Sequence, residues 1–268
     1  MADRSRLYRT HALVIRRRDH ADADRILTLF TPQHGRLEVI AKGVRKTSSR
    51  KAGHLEPFTH TSLLIANGRT WDIITEVVTV EPFRHVRDDL DAISRAGYIA
   101  ELVDAFSASD DDHRALWELA LATLRTLDDA AAGATDIDRN VLTAWFLLHL
   151  LSVTGFQPQL FACLECGEEI QPTPNFFSPG EGGVFCPTCG AGRPGCEPIE
   201  VDLLKVLRYL QSRPWAEVAR LHVPAPLMRR IDNLMHRYLL HVTERSVRSV
   251  EFLRRMQTDP RFFPGAVD

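Results

Sequence analysis

Two Cys-x-x-Cys knuckles, Cys163-Leu-Glu-Cys166 and Cys186-Pro-Thr-Cys189, stand 19 residues apart. A two-residue gap lets both thiolates of a knuckle point at one ion, and two knuckles supply the closed set of four sulfurs that a structural Zn²⁺ takes. Gly167 and Gly190 follow the second cysteine of each knuckle, where glycine lets the backbone turn back tightly. Four thiolates leave no open position for water, so the spacing predicts one structural Zn²⁺ and not a reaction centre. A pair of disulfides or free core thiols is the alternative. Cys196 breaks the knuckle pattern and reads as a spare thiol or a substitute ligand. The residues between the knuckles are rich in Pro and Gly, which predicts no hydrophobic core of their own and a segment held by its ion.

Other reactive constellations are missing. The sequence has no Gly-x-x-x-x-Gly-Lys-Ser/Thr phosphate loop, no Gly-x-Ser-x-Gly elbow and no His-Glu-x-x-His. His54-Leu-Glu56 has the His-x-Glu of zinc deaminases, but Ala162 and Phe185, not Pro, precede the knuckles. Asp110-Asp-Asp112 reads as a helix cap before a magnesium site, and His149 and His236 as packed or surface residues of helices.

The second chemical signal is cationic. Net charge is -2, but residues through Arg87 carry 16 Lys+Arg against 9 Asp+Glu, and the remainder 17 against 26. A basic first module on an acidic body suggests a polyanionic partner rather than a merely solvated face. Lys42-Gly-Val-Arg-Lys-Thr-Ser-Ser-Arg-Lys-Ala-Gly53 packs five cations, two glycines and three hydroxyl residues, with no carboxylate between Glu38 and Glu56. Lys and Arg neutralise phosphates, and hydroxyl and backbone N–H groups bond their oxygens. The candidate nucleic-acid-binding residues are Arg16, Arg17, Arg18, Arg36, Lys42, Arg45, Lys46, Arg50 and Lys51. Among possible stacking aromatics, Phe30 and Phe58 read as core, and Trp71 as the most exposed of a set that includes Tyr8.

The elements that must carry these residues are legible in the hydrophobic period. Leu13–Ile15, ending at Arg16–Arg18, then Arg25–Phe30 and Arg36–Ala41 read as strands, and Thr61–Ala66 and Thr70–Val80 as a hairpin about Asn67-Gly68. Three strands, a gap and a hairpin predict a five-stranded barrel of the OB type. Beyond Glu81-Pro82 the period turns helical. Helices are expected over Asp91–Phe106, His113–Asp128, Asp138–Val153 with Gly155 as stop, Val201–Leu210, Leu227–Val242 and Val247–Met256, with a frayed tail from Thr258. The fold class expected is α+β and multidomain: an OB-type barrel over residues 1–82, then one helical domain in halves 83–160 and 198–268, with a zinc segment inserted at 161–197. The charged start Met1-Ala-Asp-Arg predicts no signal peptide, and the run Val141–Val153 is too short to span a membrane. The cysteine usage suits a reducing cytoplasm.

His11–Ile15, Asp24–Thr31, His34-Gly35, Ile40-Ala-Lys-Gly43, Ser49-Arg50 and Leu55-Glu-Pro-Phe58 resemble, in series, the bacterial RecO recombination mediators. Thr154-Gly-Phe-Gln-Pro158 leading into the first knuckle, and Arg245-Ser-Val-Arg-Ser-Val-Glu-Phe-Leu253, are similar to that family as well. The resemblance implies an OB fold, a helical domain and a four-cysteine zinc site. It implies a non-enzymatic protein that binds single- and double-stranded DNA, anneals strands and, with RecR, loads RecA recombinase onto DNA coated by single-strand binding protein. It also implies contact with that protein's carboxy-terminal tail, and a bacterial cytoplasmic, nucleoid-associated location. Lys42, Arg45, Lys46, Arg50 and Lys51 then fall where the family's DNA-contacting loop lies. A zinc-containing adaptor of transcription or translation and a metal-dependent nucleic-acid enzyme are the alternatives.

Overall fold

The computed structural model describes residues 7–107 and 112–243. These form two compact units, residues 7–134 and 135–243. The helix expected at Val247–Met256, the tail from Thr258, the run Arg245–Leu253 and most of the acidic stretch Asp110–Asp112 lie outside the described residues.

The first unit is built on five strands: β1 (Leu7–His20), β2 (Asp24–Thr31), β3 (Gly35–Ala41), β4 (His60–Ala66) and β5 (Asp72–Glu81). They close into a barrel in the order β1-β2-β3-β5-β4, with β4 returning onto β1. All neighbours run antiparallel except β3 and β5, which pair in parallel at Val39–Asp72 and Ile40–Ile73. This Greek-key closure is the OB fold. The barrel interior holds Ala12, Val14, Leu27, Leu29, Val39, Ala41, Leu63, Ile65 and Ile74, alternate residues of their strands.

Two local features depart from the sequence reading. β1 does not end at its arginines; Arg16–Arg18 continue the ladder opposite Thr28–Ile26, after a register shift between Val14 and Arg16. The β4–β5 connection is not a two-residue Asn-Gly turn, because pairing begins again only at Ile73. Asp72 Oδ1 accepts from the Gly68 N–H at 3.1 Å, and a Cβ on Gly68 would sit 1.9 Å from the Trp71 carbonyl oxygen. Glycine is required there for close approach within a wider loop.

Helices α1 (Arg84–Asp88), α2 (Leu90–Phe106) and α3 (Arg114–Ala131) belong to this same unit. The sequence reading grouped them with the later helices. The outer face of the barrel shows why they stay. Leu13, Ile26, Phe30 and Ile40 alternate with the interior residues yet are buried too. Phe30 lies 5.9 Å from the Trp117 ring of α3, and the His113 N–H donates to the Pro32 carbonyl at 3.1 Å. A strand apolar on both faces needs a second layer, and α2 and α3 supply it.

The second unit contains α4 (Arg139–Val153), the knuckle segment and α6–α8. Asp138 caps α4, accepting from Asn140 N and Val141 N, and Gly155 with φ 83° follows its end, as the sequence predicts. α4 is apolar almost all round and packs on α6 (Val201–Ser212), α7 (Trp215–Val218) and α8 (Ala225–Thr243). The knuckle segment carries a small sheet of β6 (Asn175–Ser178), β7 (Gly183–Phe185) and β8 (Glu197–Ile199), ordered β7-β6-β8, and the single-turn α5 (Pro187–Gly190). This corrects the expectation of a coreless insertion. Phe177, Val184 and Phe185 are fully buried, and Phe177 meets Tyr238 of α8 edge-on at 6.0 Å. Short strands broken by Pro and Gly conceal this hairpin from a period-based reading. Among the described residues no helix is long and apolar enough to cross a membrane.

Candidate nucleic-acid interface and metal centre

The β3–β4 connection, residues 42–59, is pinned to the barrel at both ends of its basic stretch. Val44 and Leu55, the latter on a 3-10 turn at Ala52–Leu55, are buried with the interior residues. The Gly43 N–H donates to Asp24 Oδ1 at 2.7 Å, the Arg45 N–H to the Ala23 carbonyl at 2.9 Å, and Gly43 sits at φ 64°. Apolar anchors inside leave the intervening cations outside. Lys42, Arg45, Lys46, Thr47, Ser48 and Arg50 are exposed.

The nine candidate cations divide into two groups. Arg18, Lys42, Lys46 and Arg50 are exposed and form no ion pair among the described residues. The other five are engaged. Arg16 and Arg36 both meet Asp104 of α2, Arg36 Nε at 3.2 Å. Arg17 donates to Glu56 at 2.5 Å. Arg45 Nε lies 3.4 Å from Asp19, which Arg25 also binds at 3.0 Å. Those two arginines hold the Asp19 carboxyl below the usual carboxylate range, the Arg25 hydrogen bond most of all. Lys51 Nζ donates to the Ile74 carbonyl at 3.0 Å and so ties the connection to β5. Trp71 is half-buried, its ring edge-on to His20 at 5.1 Å; Tyr8 donates to Asp72 at 2.9 Å; Phe30 and Phe58 are buried. Asp104 escaped the sequence reading. Its one signal is an acid in the last turn of a helix, where the dipole disfavours it.

A second polar chain joins barrel and helix. Arg125 of α3 makes two hydrogen bonds to Glu81, at 2.6 and 2.8 Å, and Glu81 Oε2 lies 2.8 Å from His60 Nδ1. A carboxylate only accepts, so Nδ1 of His60 carries the proton and its Nε2 accepts from His11 Nδ1 at 3.0 Å. Burial holds His60 below the ordinary histidine range, against the pull of Glu81.

In the second unit the four knuckle sulfurs all lie within 4.8 Å of one another, and Cys166 and Cys186 are 4.0 Å apart. That is about twice a disulfide bond, so the cysteines are free thiols, close enough together to hold one metal ion. The burial of Cys163 opposes its ionisation, but backbone N–H groups of Cys166, Cys186 and Glu165 outweigh this and bring it down to about 6. The neighbouring thiols, Cys186 first, push Cys189 up to about 12. A bound cation favours the thiolate form of each sulfur it touches, so metal binding at this cluster would release protons. Gly167 turns the first knuckle at φ 75°, as expected. Gly190 serves differently: a Cβ there would lie 2.6 Å from Phe176 Cβ. Arg193, 4.4 Å over the Phe185 ring, reaches Glu165 and Glu181 and clamps the segment. Cys196 stands outside the four-sulfur cluster.

Fold and site together define a class: an OB-barrel protein with an exposed cationic connection and a separate four-thiol centre. The family description "Recombination protein O N terminal" matches residues 4–83, and "Recombination protein O C terminal" matches residues 87–251. The chain is 40% identical to the DNA repair protein RecO of Roseiflexus sp. (strain RS-1), over 93% of this chain and 86% of that one. It is 35% identical to the DNA repair protein RecO of Pelotomaculum thermopropionicum, over 95% and 96%. It is 32% identical to that of Dehalococcoides mccartyi (strain ATCC BAA-2266 / KCTC 15142 / 195), over 92% and 94%. The chain belongs to the RecO family of DNA repair proteins.

Proposed function

We propose that this protein is a recombination mediator without turnover. It binds single- and double-stranded DNA, anneals complementary strands and, with RecR, helps load RecA recombinase onto DNA coated by single-strand binding protein, whose carboxy-terminal tail it contacts. It works in the bacterial cytoplasm at the nucleoid. One observation carries the DNA contact: among the described residues Arg18, Lys42, Lys46 and Arg50 are exposed without ion pairs, on a barrel whose other candidate cations are engaged. Unpaired cations on a pinned backbone neutralise a sugar-phosphate chain at little ordering cost. Membership of the RecO family supports the role in repair.

The ion of the second unit is zinc, held by Cys163, Cys166, Cys186 and Cys189 in a structural role. A tetrahedron with Zn–S of about 2.3 Å sets sulfurs about 3.8 Å apart. The sulfurs, 4.0 Å apart at Cys166 and Cys186 and all within 4.8 Å of one another, need to draw together by no more than about 1 Å. A strand-annealing assay tests the whole reading. Pairing should accelerate stoichiometrically and leave both strands chemically unchanged, and a peptide of the single-strand binding protein's tail should capture the protein. Cleaved or modified DNA would make it an enzyme instead; annealing without tail capture would favour a general adaptor.

A further inference from the structure

Asp104 lies in the last turn of α2, where unpaired carbonyls already concentrate negative charge. The acids at the other end, Asp89 and Asp91, sit where a helix favours them. Asp104 is explained only by what it faces, Arg16 of β1 and Arg36 of β3. The contact is incompletely bonded. Arg36 Nε lies 3.2 Å from Oδ1 but out of line, and that buried oxygen accepts no hydrogen bond. The anion side chain is 17% exposed, yet Arg16 keeps 58% and Arg36 37% of their side-chain surface open. Both arginines stand on the strands that lead to exposed cations, β1 to Arg18 and β3 to Lys42.

We infer that Asp104 is an internal stand-in for a phosphodiester, holding Arg16 and Arg36 until a strand seated on the exposed cations displaces it. This rests on the DNA contact proposed above and adds a gate to it. A phosphate offers each guanidinium paired oxygens at geometry that the half-bonded carboxylate does not reach. Only a ligand already held by Lys42, Lys46 and Arg50 reaches the local concentration that displacement requires, so the clasp favours a continuous strand over free phosphate.

The test compares binding of a poly(dT) oligonucleotide, followed by anisotropy across a salt series, for Asp104→Asn, Arg16→Gln/Arg36→Gln and the three combined. Asp104→Asn should bind about fivefold tighter at low salt, since the two guanidinium groups keep much of their surface open to solvent and water weakens their hold on Asp104. Its log–log salt slope should steepen by about 0.7, for one more net positive charge at the site. Arg16→Gln/Arg36→Gln should bind more weakly with a shallower slope, and adding Asp104→Asn to it should change nothing. Equal or weaker binding by a normally melting Asp104→Asn overturns the inference. Should that variant not fold, a wild-type slope in Arg16→Gln/Arg36→Gln overturns it alone. Lys46→Glu/Arg50→Glu is run alongside. If that pair loses affinity while the clasp variants do not respond, only the gate fails; if it binds as wild type, the site itself is misplaced.

Discussion

Reversing charge at Lys46 and Arg50 together should flatten the salt dependence of DNA binding without unfolding the barrel. Both side chains are exposed and form no ion pair among the described residues, so their removal leaves no buried partner unpaired. Counterion release sets the magnitude. Each phosphate neutralised on a single strand contributes about -0.7 to the slope of log K against log salt. Arg18, Lys42, Lys46 and Arg50 alone therefore give a slope of about -2.8, and a fall in affinity of about 50-fold between about 50 and 200 mM salt. With Lys46→Glu and Arg50→Glu the slope falls to about -1.4 and the same change of salt costs about sevenfold. The difference of about 1.4 is the readout for these two cations, and contacts that do not depend on them leave it unaltered. Fluorescence anisotropy with a labelled oligonucleotide measures it, and Arg84→Glu, at an exposed cation of α1, shows what a single charge reversal outside the connection does. A double variant that melts normally and keeps the wild-type slope refutes the placement of DNA on the β3–β4 connection.

Three further outcomes follow from the geometry. Cys163→Ser should lose metal, read by elemental analysis of the purified protein, and lower the melting temperature, while annealing persists in the folded fraction; lost annealing at an unchanged melting profile would make the metal functional. Gly190→Ala forces a methyl to within 2.6 Å of Phe176 and should destabilise the second unit by about 1–3 kcal/mol in denaturant titration, whereas Gly192→Ala, with open space at its Cβ but φ 73°, should cost only backbone strain. His60 is depressed by burial below its ordinary 6.5, so the unfolded chain binds the extra proton first. The stability of the first unit should therefore be full above about pH 6.5 and decline as pH falls below it, and His60→Gln should flatten that decline in thermal melts at pH 7 and pH 5. Glu81, held low chiefly by Arg125, keeps its own contribution until pH drops through its depressed range.

The barrel was legible because its strands alternate or run apolar between turn residues, and Thr31–Gly35 and the Lys42–Gly53 gap punctuate them. The clustering of the four knuckle cysteines was legible because knuckle spacing is itself a geometric constraint. Three things were not. Arg16–Arg18 look like a strand's end, since a register shift at Ile15 breaks the simple period and β1 then coils on past it. The membership of α1–α3 in the first unit depends on Phe30 and Trp117 meeting across 87 positions of sequence, and no local pattern encodes that. The division of the arginines into unpaired and paired depends on Asp19, Glu56 and Asp104, and composition counts these acids without saying what they touch. The same limit hid the core of Phe177, Val184 and Phe185 behind a segment rich in Pro and Gly.

The central claim is that a strand of DNA lies on the barrel while the thiol centre only holds its own unit together. Hydrogen–deuterium exchange of the full chain, with and without single-stranded DNA, tests it most directly. Amides of residues 42–51 should gain protection on binding, and those of residues 163–189 should exchange as in the free protein. Protection at the cysteine knuckles with none in the β3–β4 connection would contradict the account.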